Sequence, residues 1–349
     1  MTGTRPEKGR RRLRALLALS ISSLASVAGA ELWCRAQYGI PIREKLPIMP
    51  VVADARRGYA MIPGTEHYTY ERPVRVNGLG LRGAEMPEKQ EGETRVLCLG
   101  DSTVYGQGLT EDATIPVLLE RELARNLQPP RTVRAVNGGL RGYGTEQEIA
   151  LLEELGPRIR PDLVVLFWYP NDLEKHDIVE MNARLERQGR VEYDTQSRLE
   201  GSTLLVWQAK EYLRRSAFVM QVHDILTSLT TKRLSPEEIE GGFERLDRSL
   251  GDLARAAESQ GARLLVVAIP TAGMVAAGEE GRDIPRRVGK LVEKHGIACA
   301  DVFEPLSELH RELGHLPLLP YDWHYTGEAN LAMAKRLAEV LRERFPSLL

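Results

Sequence analysis

Five short segments of this chain are rich in apolar, strand-forming residues, and longer stretches of mixed polarity separate them. The runs cover residues 95–99, 131–136, 163–168, 263–269 and 297–302. Short runs of this kind are typical of strands that are buried on both faces, as in a parallel sheet. Strands that alternate with helices predict an α/β fold in which helices cover both faces of the sheet and the crossovers are right-handed.

The stretches between the runs repeat their apolar residues at helical spacing. This pattern covers residues 113–126, residues 145 to about 155, and a last helix from about 328 to 345. Thr145, followed three residues later by Glu148, predicts a capping box. Ser235 followed by Pro236 predicts another helix start, with proline at the first helical position.

One stretch, residues 173–250, is too long for a single crossover between strands. Residues 204–229 within it have a helical pattern. We expect this insertion to form a lid or wall over the carboxyl edge of the sheet. Trp207, Phe218 and Met220 would then either line an acyl pocket or fill a helical core, and their helical spacing favours the core.

The N-terminus has a different character. Residues 1–14 contain six Arg and Lys residues but a single Glu, and residues 15–30 carry no charge. A basic flank before an apolar stretch is typical of a membrane-targeting segment whose basic end stays in the cytoplasm. We predict that residues 1–34 are an uncleaved membrane anchor, with a signal peptide cleaved after Ala28-Gly29-Ala30 as the alternative. In both cases the rest of the protein is exported, either tethered to the membrane outside the cytoplasm or secreted.

Residues 35–94, called the lead-in segment below, are polar and rich in turn signals, and residues 95–349 form the predicted α/β domain. Alternation of polar and apolar residues from Tyr68 to Val76 predicts a strand, and Asn77-Gly78 predicts a turn. Arg82 follows these glycines. We expect it to be a solvated surface residue rather than a cation beside the substrate.

Composition excludes several classes of protein. The chain has 349 residues and a formal net charge of −2, which gives no sign of nucleic-acid binding. Its three cysteines are too few and too scattered for a disulfide framework or a metal cluster. Its seven histidines show no paired ligand spacing. We therefore expect no metal, no cofactor and no nucleic-acid partner.

Polar residues with catalytic potential follow the predicted strands. Ser102 comes just after the first strand and its glycine, a glycine-rich stretch at 137–144 follows the second strand, and Asn171 follows the third. Asp322 and His324 precede the last helix. The carboxyl ends of parallel strands share one edge of the sheet, where open α/β folds bind their ligands. A serine with a histidine and an acid at that edge indicates nucleophilic catalysis.

Taken in order, these blocks resemble the motifs of the SGNH (GDSL) hydrolase superfamily. The blocks are Gly100-Asp101-Ser102, Gly142 after Asn137, Asn171-Asp172, and Asp322 with His324. The pattern Asn77-x-x-Gly80-x-Arg82 is similar to a lead-in seen in membrane-anchored members. The resemblance implies a three-layer α/β/α, flavodoxin-like fold from about Arg95 to the C-terminus.

The resemblance also implies a role for each site residue. Ser102 would be the nucleophile, His324 the general base, and Asp322 the residue that orients the histidine. The backbone N–H groups of Ser102 and Gly142 and the side-chain amide of Asn171 would form the oxyanion hole.

Two departures from the family pattern affect these roles. Tyr169 stands where the usual Gly-x-Asn-Asp has glycine, so we expect a differently shaped loop before Asn171. The usual Asp-x-x-His is one residue shorter here, which leaves open whether Asp322 orients His324 or only caps a turn. His176 is a rival candidate for the base.

The function that follows is serine-dependent ester hydrolysis through an acyl-serine intermediate, with an acyl ester as substrate and the membrane as a partner through the N-terminal helix. The same site would serve an O-acyltransferase or O-deacetylase that acts on a cell-envelope polysaccharide. A non-catalytic binding module on the same fold would lack the nucleophile or the base, and a nucleotide binder would need a phosphate-binding run where Asp101 stands.

Overall fold

The structure is a computed structural model that describes residues 5–125, 127, 129, 131–174, 178, 202–230 and 234–349. The chain divides into two compact units. The helical unit comprises residues 1–43 and 200–232, and the sheet unit comprises residues 44–199 and 233–349. His176 and most of residues 173–201, which belong to the predicted insertion, lie outside the described residues.

The described part of the helical unit includes the helices α1 (Arg5–Tyr38), α5 (Ser202–Leu213) and α6 (Ala217–Thr230). Residues 10–38 of α1 are long and apolar enough to cross a membrane, by length and composition. Glu31 of α1 caps the N-terminus of α6, because its carboxylate accepts hydrogen bonds from the backbone N–H groups of Ala217 at 3.1 Å and Phe218 at 3.0 Å. The Ser216 hydroxyl also donates to this carboxylate, at 2.6 Å.

The sheet unit begins with two short antiparallel hairpins from the lead-in segment. They pair β1 (Val51–Asp54) with β2 (Gly58–Met61), and β3 (Glu66–Thr69) with β4 (Arg72–Arg75). The alternating stretch from Tyr68 to Val76 is therefore not one strand. It turns at Tyr70-Glu71, and Thr69 faces Arg72 across the hairpin.

A five-stranded parallel sheet forms the centre of this unit and contains all five predicted strands. The strands are β5 (Glu93–Gly100), β6 (Thr132–Gly139), β7 (Leu163–Trp168), β8 (Arg263–Ala268) and β9 (Ala298–Asp301). They are arranged in the order β6-β5-β7-β8-β9. Strand β7 is the central strand of the sheet, and for this reason all six of its residues are apolar and buried.

Helices cover both faces of the sheet, as predicted. They are α2 (Ser102–Tyr105), α3 (Ile115–Ala124), α4 (Thr145–Ile159), α7 (Pro236–Ser259), α8 (Ala272–Ala276), α9 (Asp283–Lys294), α10 (Phe303–Leu313) and α11 (Gly327–Arg344). Successive residues of β5 point to opposite faces: Leu97 packs in one hydrophobic cluster with residues of α4, α7 and α9, and Cys98 packs in a second cluster with residues of α3, α10 and α11. The result is the three-layer α/β/α arrangement.

Two helix starts were predicted from capping motifs, and only one prediction is correct. Ser235 caps α7 as expected: its hydroxyl accepts the N–H of Glu238 at 3.2 Å, and the Glu238 carboxylate accepts the N–H of Ser235 at 2.7 Å. The prediction for Thr145 is wrong, since the N-cap of α4 is Gly144. Glu148 cannot complete a capping box, because its side chain is buried in the protein interior and does not bond a backbone N–H at the start of the helix.

Candidate active site

Ser102 is the first residue of α2 and directly follows the end of β5. The preceding Asp101 caps α2, because its Oδ1 accepts the N–H of Thr103 at 2.8 Å. The turn approaches the sheet so closely that a Cβ atom at Gly100 would clash with Val104, and one at Gly139 would clash with the backbone of Val104 and Tyr105. Glycine at these strand ends therefore lets the turn that carries Ser102 lie against β5 and β6.

His324 lies on the loop that precedes α11. This loop is closed on itself by two backbone hydrogen bonds, from Leu319 N–H to the carbonyl of His324 at 2.9 Å and from Thr326 N–H to the carbonyl of Pro317 at 2.9 Å. The loop brings the Nε2 of His324 to 2.7 Å from the Oγ of Ser102. The predicted serine and histidine therefore meet within hydrogen-bond distance.

Asp322 contacts the other side of the same imidazole. Its Oδ1 forms a short contact with Nδ1 of His324 and also accepts the backbone N–H of His324 at 3.0 Å. Asp322 therefore contacts both the local backbone turn and the imidazole ring of His324. The shortened Asp-x-His spacing is compatible with the Asp–His contact.

The charge state of Asp322 sets the tautomer of His324. Burial alone would raise the pKa of this carboxyl, but hydrogen bonds and charge from His324, together with hydrogen bonds from Tyr70, lower it well below its ordinary value. An ionised carboxylate only accepts hydrogen bonds, so Nδ1 of His324 carries the proton. Nε2 is then free to accept the hydrogen bond from the Ser102 hydroxyl.

Gly142 lies in a tight turn after β6. The turn is closed by a hydrogen bond from Tyr143 N–H to the carbonyl of Leu140 at 3.1 Å, and Leu140 N–H donates to the carbonyl of Gly100 at the end of β5. Gly142 occupies the third turn position with φ of +77°, a value that favours glycine. The turn therefore lies beside the strand end that leads to Ser102.

Asn171 lies on a 3₁₀ turn, Pro170–Leu173, that follows β7. Its Nδ2 donates to Oδ2 of Asp101 at 2.8 Å, which ties the amide to the residue before Ser102. Tyr169, in place of the usual glycine, has φ of −125°, which is extended backbone open to any residue. Its ring packs against the hydrophobic cluster that contains Phe167, so the position tolerates a large side chain.

The lead-in segment supplies contacts to the site that the sequence did not indicate. Arg82, expected at the surface, is only 3% exposed. Its guanidinium donates to the carbonyls of Tyr105 at 2.8 Å, Gly106 at 2.7 Å and Leu109 at 2.6 Å. These carbonyls belong to the last residue of α2 and to the loop after it, so the expectation of a solvated arginine is wrong. The planar guanidinium presents several N–H donors in a fixed geometry, which suits three carbonyl acceptors close together.

A second contact from the lead-in segment reaches the turn that contains Gly142. The hydroxyl of Tyr59 donates to the carbonyl of Arg141, and the hydroxyl of Tyr143 donates back to the carbonyl of Tyr59. The two tyrosine rings also pack edge to face, with centroids 5.2 Å apart. β2 is thereby held against this turn.

The carboxyl groups of Glu148 and Asp172 lie close enough to Asp101 for their charges to interact. Glu148 of α4 is fully buried, and neither of its side-chain oxygens has a hydrogen-bond partner. Burial, followed by the negative charges of Asp172 and Asp101, raises the pKa of Glu148 well above its ordinary value. Burial and the charge of Asp101 do the same for Asp172. Among the described residues, no group of three or more His, Cys, Asp or Glu side chains is arranged to hold a metal ion.

Comparison with known families identifies the family of this chain. Residues 98–332 match the GDSL-like lipase/acylhydrolase family, a span that covers more than half of the sequence. The chain belongs to the GDSL-like lipase/acylhydrolase family. It is accordingly a member of a hydrolase family, and its parallel sheet with flanking helices has the fold of that family.

Several solved structures resemble this GDSL-family chain. One is TesA, and another is the lipase/acylhydrolase from Enterococcus faecalis. A third is a catalytic mutant of Axe2, which is an acetylxylan esterase from Geobacillus stearothermophilus. TesA is 18% identical, with coverage of 73% of this chain and 100% of TesA and a TM-score of 0.44. The Enterococcus protein is 13% identical, with coverage of 72% and 96% and a TM-score of 0.42. The Axe2 mutant is 13% identical, with coverage of 71% and 94% and a TM-score of 0.43. A comparison with curated proteins gave no significant match.

Proposed function

We propose that this GDSL-family protein hydrolyses carboxylic esters through an acyl intermediate on Ser102. The observation that carries the proposal is the continuous set of contacts from Ser102 through His324 to Asp322. A serine hydroxyl is a weak nucleophile at neutral pH unless an adjacent base takes its proton. A histidine whose second nitrogen is held by a buried carboxylate is the arrangement that supplies such a base.

The first half of the reaction forms the acyl-enzyme. Oγ of Ser102 attacks the acyl carbon while its proton passes to Nε2 of His324, and the carbonyl oxygen becomes an oxyanion. The N–H groups of Ser102 and Gly142 and the amide of Asn171 donate hydrogen bonds to that oxyanion. The C–O bond to the alcohol then breaks, and the alcohol leaves with the proton from His324.

The second half restores the enzyme. A water molecule gives its proton to His324 and attacks the acyl-serine carbon through the same oxyanion. The bond to Oγ breaks, the carboxylic acid leaves, and Ser102 takes back its proton. No metal or cofactor enters this sequence of steps.

The test is the hydrolysis of p-nitrophenyl acetate by the full-length chain in detergent, together with labelling by a fluorophosphonate probe. We expect Ser102→Ala to lower kcat at least about 10³-fold and to abolish labelling. Ser259→Ala is the control, because this serine is the last residue of α7 and its hydroxyl bonds the carbonyl of Ala256 and the side chain of Gln260. Unchanged turnover in Ser102→Ala would overturn the proposal, and an unlabelled wild-type protein would favour a non-catalytic binding module.

A second candidate function is O-acyl transfer to, or deacetylation of, an envelope polysaccharide. It is favoured by Trp323, which stands between Asp322 and His324 and is 72% exposed. Tryptophan is mostly buried in folded proteins, and an exposed indole face can pack against the C–H bonds of a sugar ring. The test compares Trp323→Ala with wild type on acetylated xylan and on p-nitrophenyl acetate. A loss of activity on the xylan alone would support a glycan substrate. Wild-type activity of the variant on both substrates would contradict it.

We also propose that α1 anchors the protein in the membrane with the sheet unit outside the cytoplasm. Support comes from the cluster of Arg residues before the apolar stretch and from the length of α1. Fractionation of cells that express the full chain, followed by N-terminal sequencing, tests this. An intact N-terminus in the membrane fraction supports the anchor, whereas a soluble chain that begins at Glu31 identifies a cleaved signal peptide.

A further inference from the structure

Asp322 has two carboxylate oxygens, and only one of them contacts His324. Because His324 is two positions away, its ring nitrogen and its backbone N–H both reach the same oxygen, Oδ1. The side chain of Asp322 is 92% buried, with 8% exposed, so solvent contributes little to Oδ2. A buried carboxylate oxygen needs its own donors, since an unsatisfied charged acceptor is costly.

Two donors reach Oδ2 of Asp322, and one of them comes from the lead-in segment. The hydroxyl of Tyr70 donates to Oδ2 in a short hydrogen bond, across 252 positions of sequence. Nε2 of Gln107 donates to the same oxygen at 2.9 Å and lies 3.2 Å from the hydroxyl of Tyr70. Burial, followed by the charge of Asp322, raises the pKa of Tyr70, so its hydroxyl remains a protonated donor.

The backbone holds Tyr70 in this position. Tyr70 lies at the turn between β3 and β4 with φ of +54°, a left-handed conformation that residues other than glycine adopt at a cost. Its carbonyl accepts the N–H of Lys45 at 3.1 Å, and the hydroxyl of the preceding Thr69 accepts the N–H of Gly108 at 2.9 Å. The ring lies so close to Gly108 that a Cβ atom there would be 3.1 Å from it.

Gln107 connects this contact to the nucleophile. Its backbone N–H donates to the carbonyl of Ser102 at 3.0 Å, and its side chain donates to Asp322. The turn that carries Ser102, the loop that carries Asp322 and the hairpin that carries Tyr70 therefore share one hydrogen-bond network. Tyr70 lies before residue 98, outside the span that matches the family.

We propose that Tyr70 is a positioning residue of the active site: its hydroxyl holds Oδ2 of Asp322, so that Oδ1 stays directed at His324 and Nε2 of His324 stays directed at Ser102. The inference rests on the proposed ester hydrolysis. The role also explains how the shortened Asp-x-His spacing can work. With both contacts to His324 on Oδ1, the carboxylate could rotate about its side-chain bond, and the hydrogen bond from Tyr70 to Oδ2 prevents that rotation.

The test is a kinetic comparison of Tyr70→Phe with wild type on p-nitrophenyl acetate, in the full-length chain. The phenylalanine keeps the ring and removes only the hydroxyl. Loss of one hydrogen bond to a charged group predicts a kcat about tenfold lower, with KM within about twofold, because the substrate itself is not touched. Tyr68→Phe is the matched control, since Tyr68 lies on the same hairpin and its ring packs under Lys45.

A second measurement separates positioning from general stability. In an Asp322→Asn background, Tyr70→Phe should cause no further loss of kcat, because its effect passes through the carboxylate. An equal fold loss in both backgrounds would overturn the proposal, and so would a Tyr70→Phe enzyme as active as Tyr68→Phe. Ser102→Ala separates failure of the proposed hydrolysis from failure of the role of Tyr70. If Ser102→Ala stays active, both proposals fail. If Ser102→Ala is inactive and Tyr70→Phe is fully active, only the role of Tyr70 is overturned.

Discussion

Oγ of Ser102 lies 2.7 Å from Nε2 of His324, although 222 positions of sequence separate the two residues. The contact depends on the end of β5 and on a self-closed loop before α11, each held by its own hydrogen bonds. It also depends on Asp322, which leaves His324 with its proton on the nitrogen that faces away from Ser102. Each of these dependences can be tested by substitution.

Asp322→Asn tests whether the carboxylate controls the histidine. The asparagine keeps the size of the side chain but can present an N–H to Nδ1, which favours the wrong tautomer of His324. We expect kcat for p-nitrophenyl acetate to fall about 10³–10⁴-fold with KM little changed. Asp252→Asn, an exposed substitution in α7, is the control. A loss of less than about tenfold would reduce Asp322 to a cap of the local turn.

Asn171→Ala tests the oxyanion hole. The amide would donate to charge that develops only in the transition state, so its loss should lower kcat about 10²–10³-fold and leave KM nearly unchanged. The substitution also removes the donor to Asp101, so the melting temperature is measured beside the kinetics. The opposite pattern, a raised KM with kcat retained, would remove Asn171 from the oxyanion hole.

Glu148→Gln tests the buried carboxyl pair. The pKa of Glu148 is raised in the folded protein, so the native state binds more protons than the unfolded chain between the ordinary pKa near 4.5 and the raised value. The free energy of unfolding should therefore fall as the pH rises through this interval. The glutamine cannot ionise, and we expect it to be more stable than wild type by about 1–3 kcal/mol at neutral pH.

The measurement for Glu148→Gln is urea unfolding of the full-length chain at several pH values from 4.5 to 8. The advantage of the variant should shrink toward pH 4.5, where wild-type Glu148 is protonated in the folded state and half protonated in the unfolded chain. Glu146→Gln, at an exposed position of the same helix, should show no such trend. A variant that is less stable than wild type at pH 7 would contradict a raised pKa for the buried Glu148 carboxyl.

Arg82→Lys tests the contact between the lead-in segment and the loop after α2. A lysine keeps the charge but cannot reproduce the planar fork that reaches three carbonyl oxygens. We expect the free energy of unfolding to fall by about 2 kcal/mol, measured by urea denaturation. Arg75→Lys, an exposed position in β4, should be neutral. Equal stability of the two variants would mean that the buried guanidinium contributes nothing specific.

The sequence by itself determined the sheet, because burial on both faces requires continuous apolar runs and these can be recognised one segment at a time. The positions of Ser102 and Asn171 at the carboxyl edge follow from the same logic, since each follows a parallel strand and such strands all end at that edge. Ser235 was also predictable, because a capping box is a local motif whose partners are three residues apart.

Only the tertiary structure decided which long polar side chains turn into the protein interior. Arg82 and Glu148 have sequence surroundings typical of exposed residues, but Arg82 binds carbonyls at the end of α2 and after it, and Glu148 is enclosed near Asp172. Tyr70 meets Asp322 across 252 positions, and the alternation around it predicted a strand where the chain turns. Such contacts are set by which loops the fold brings together, and the pattern of apolar and polar residues along one segment does not contain that information.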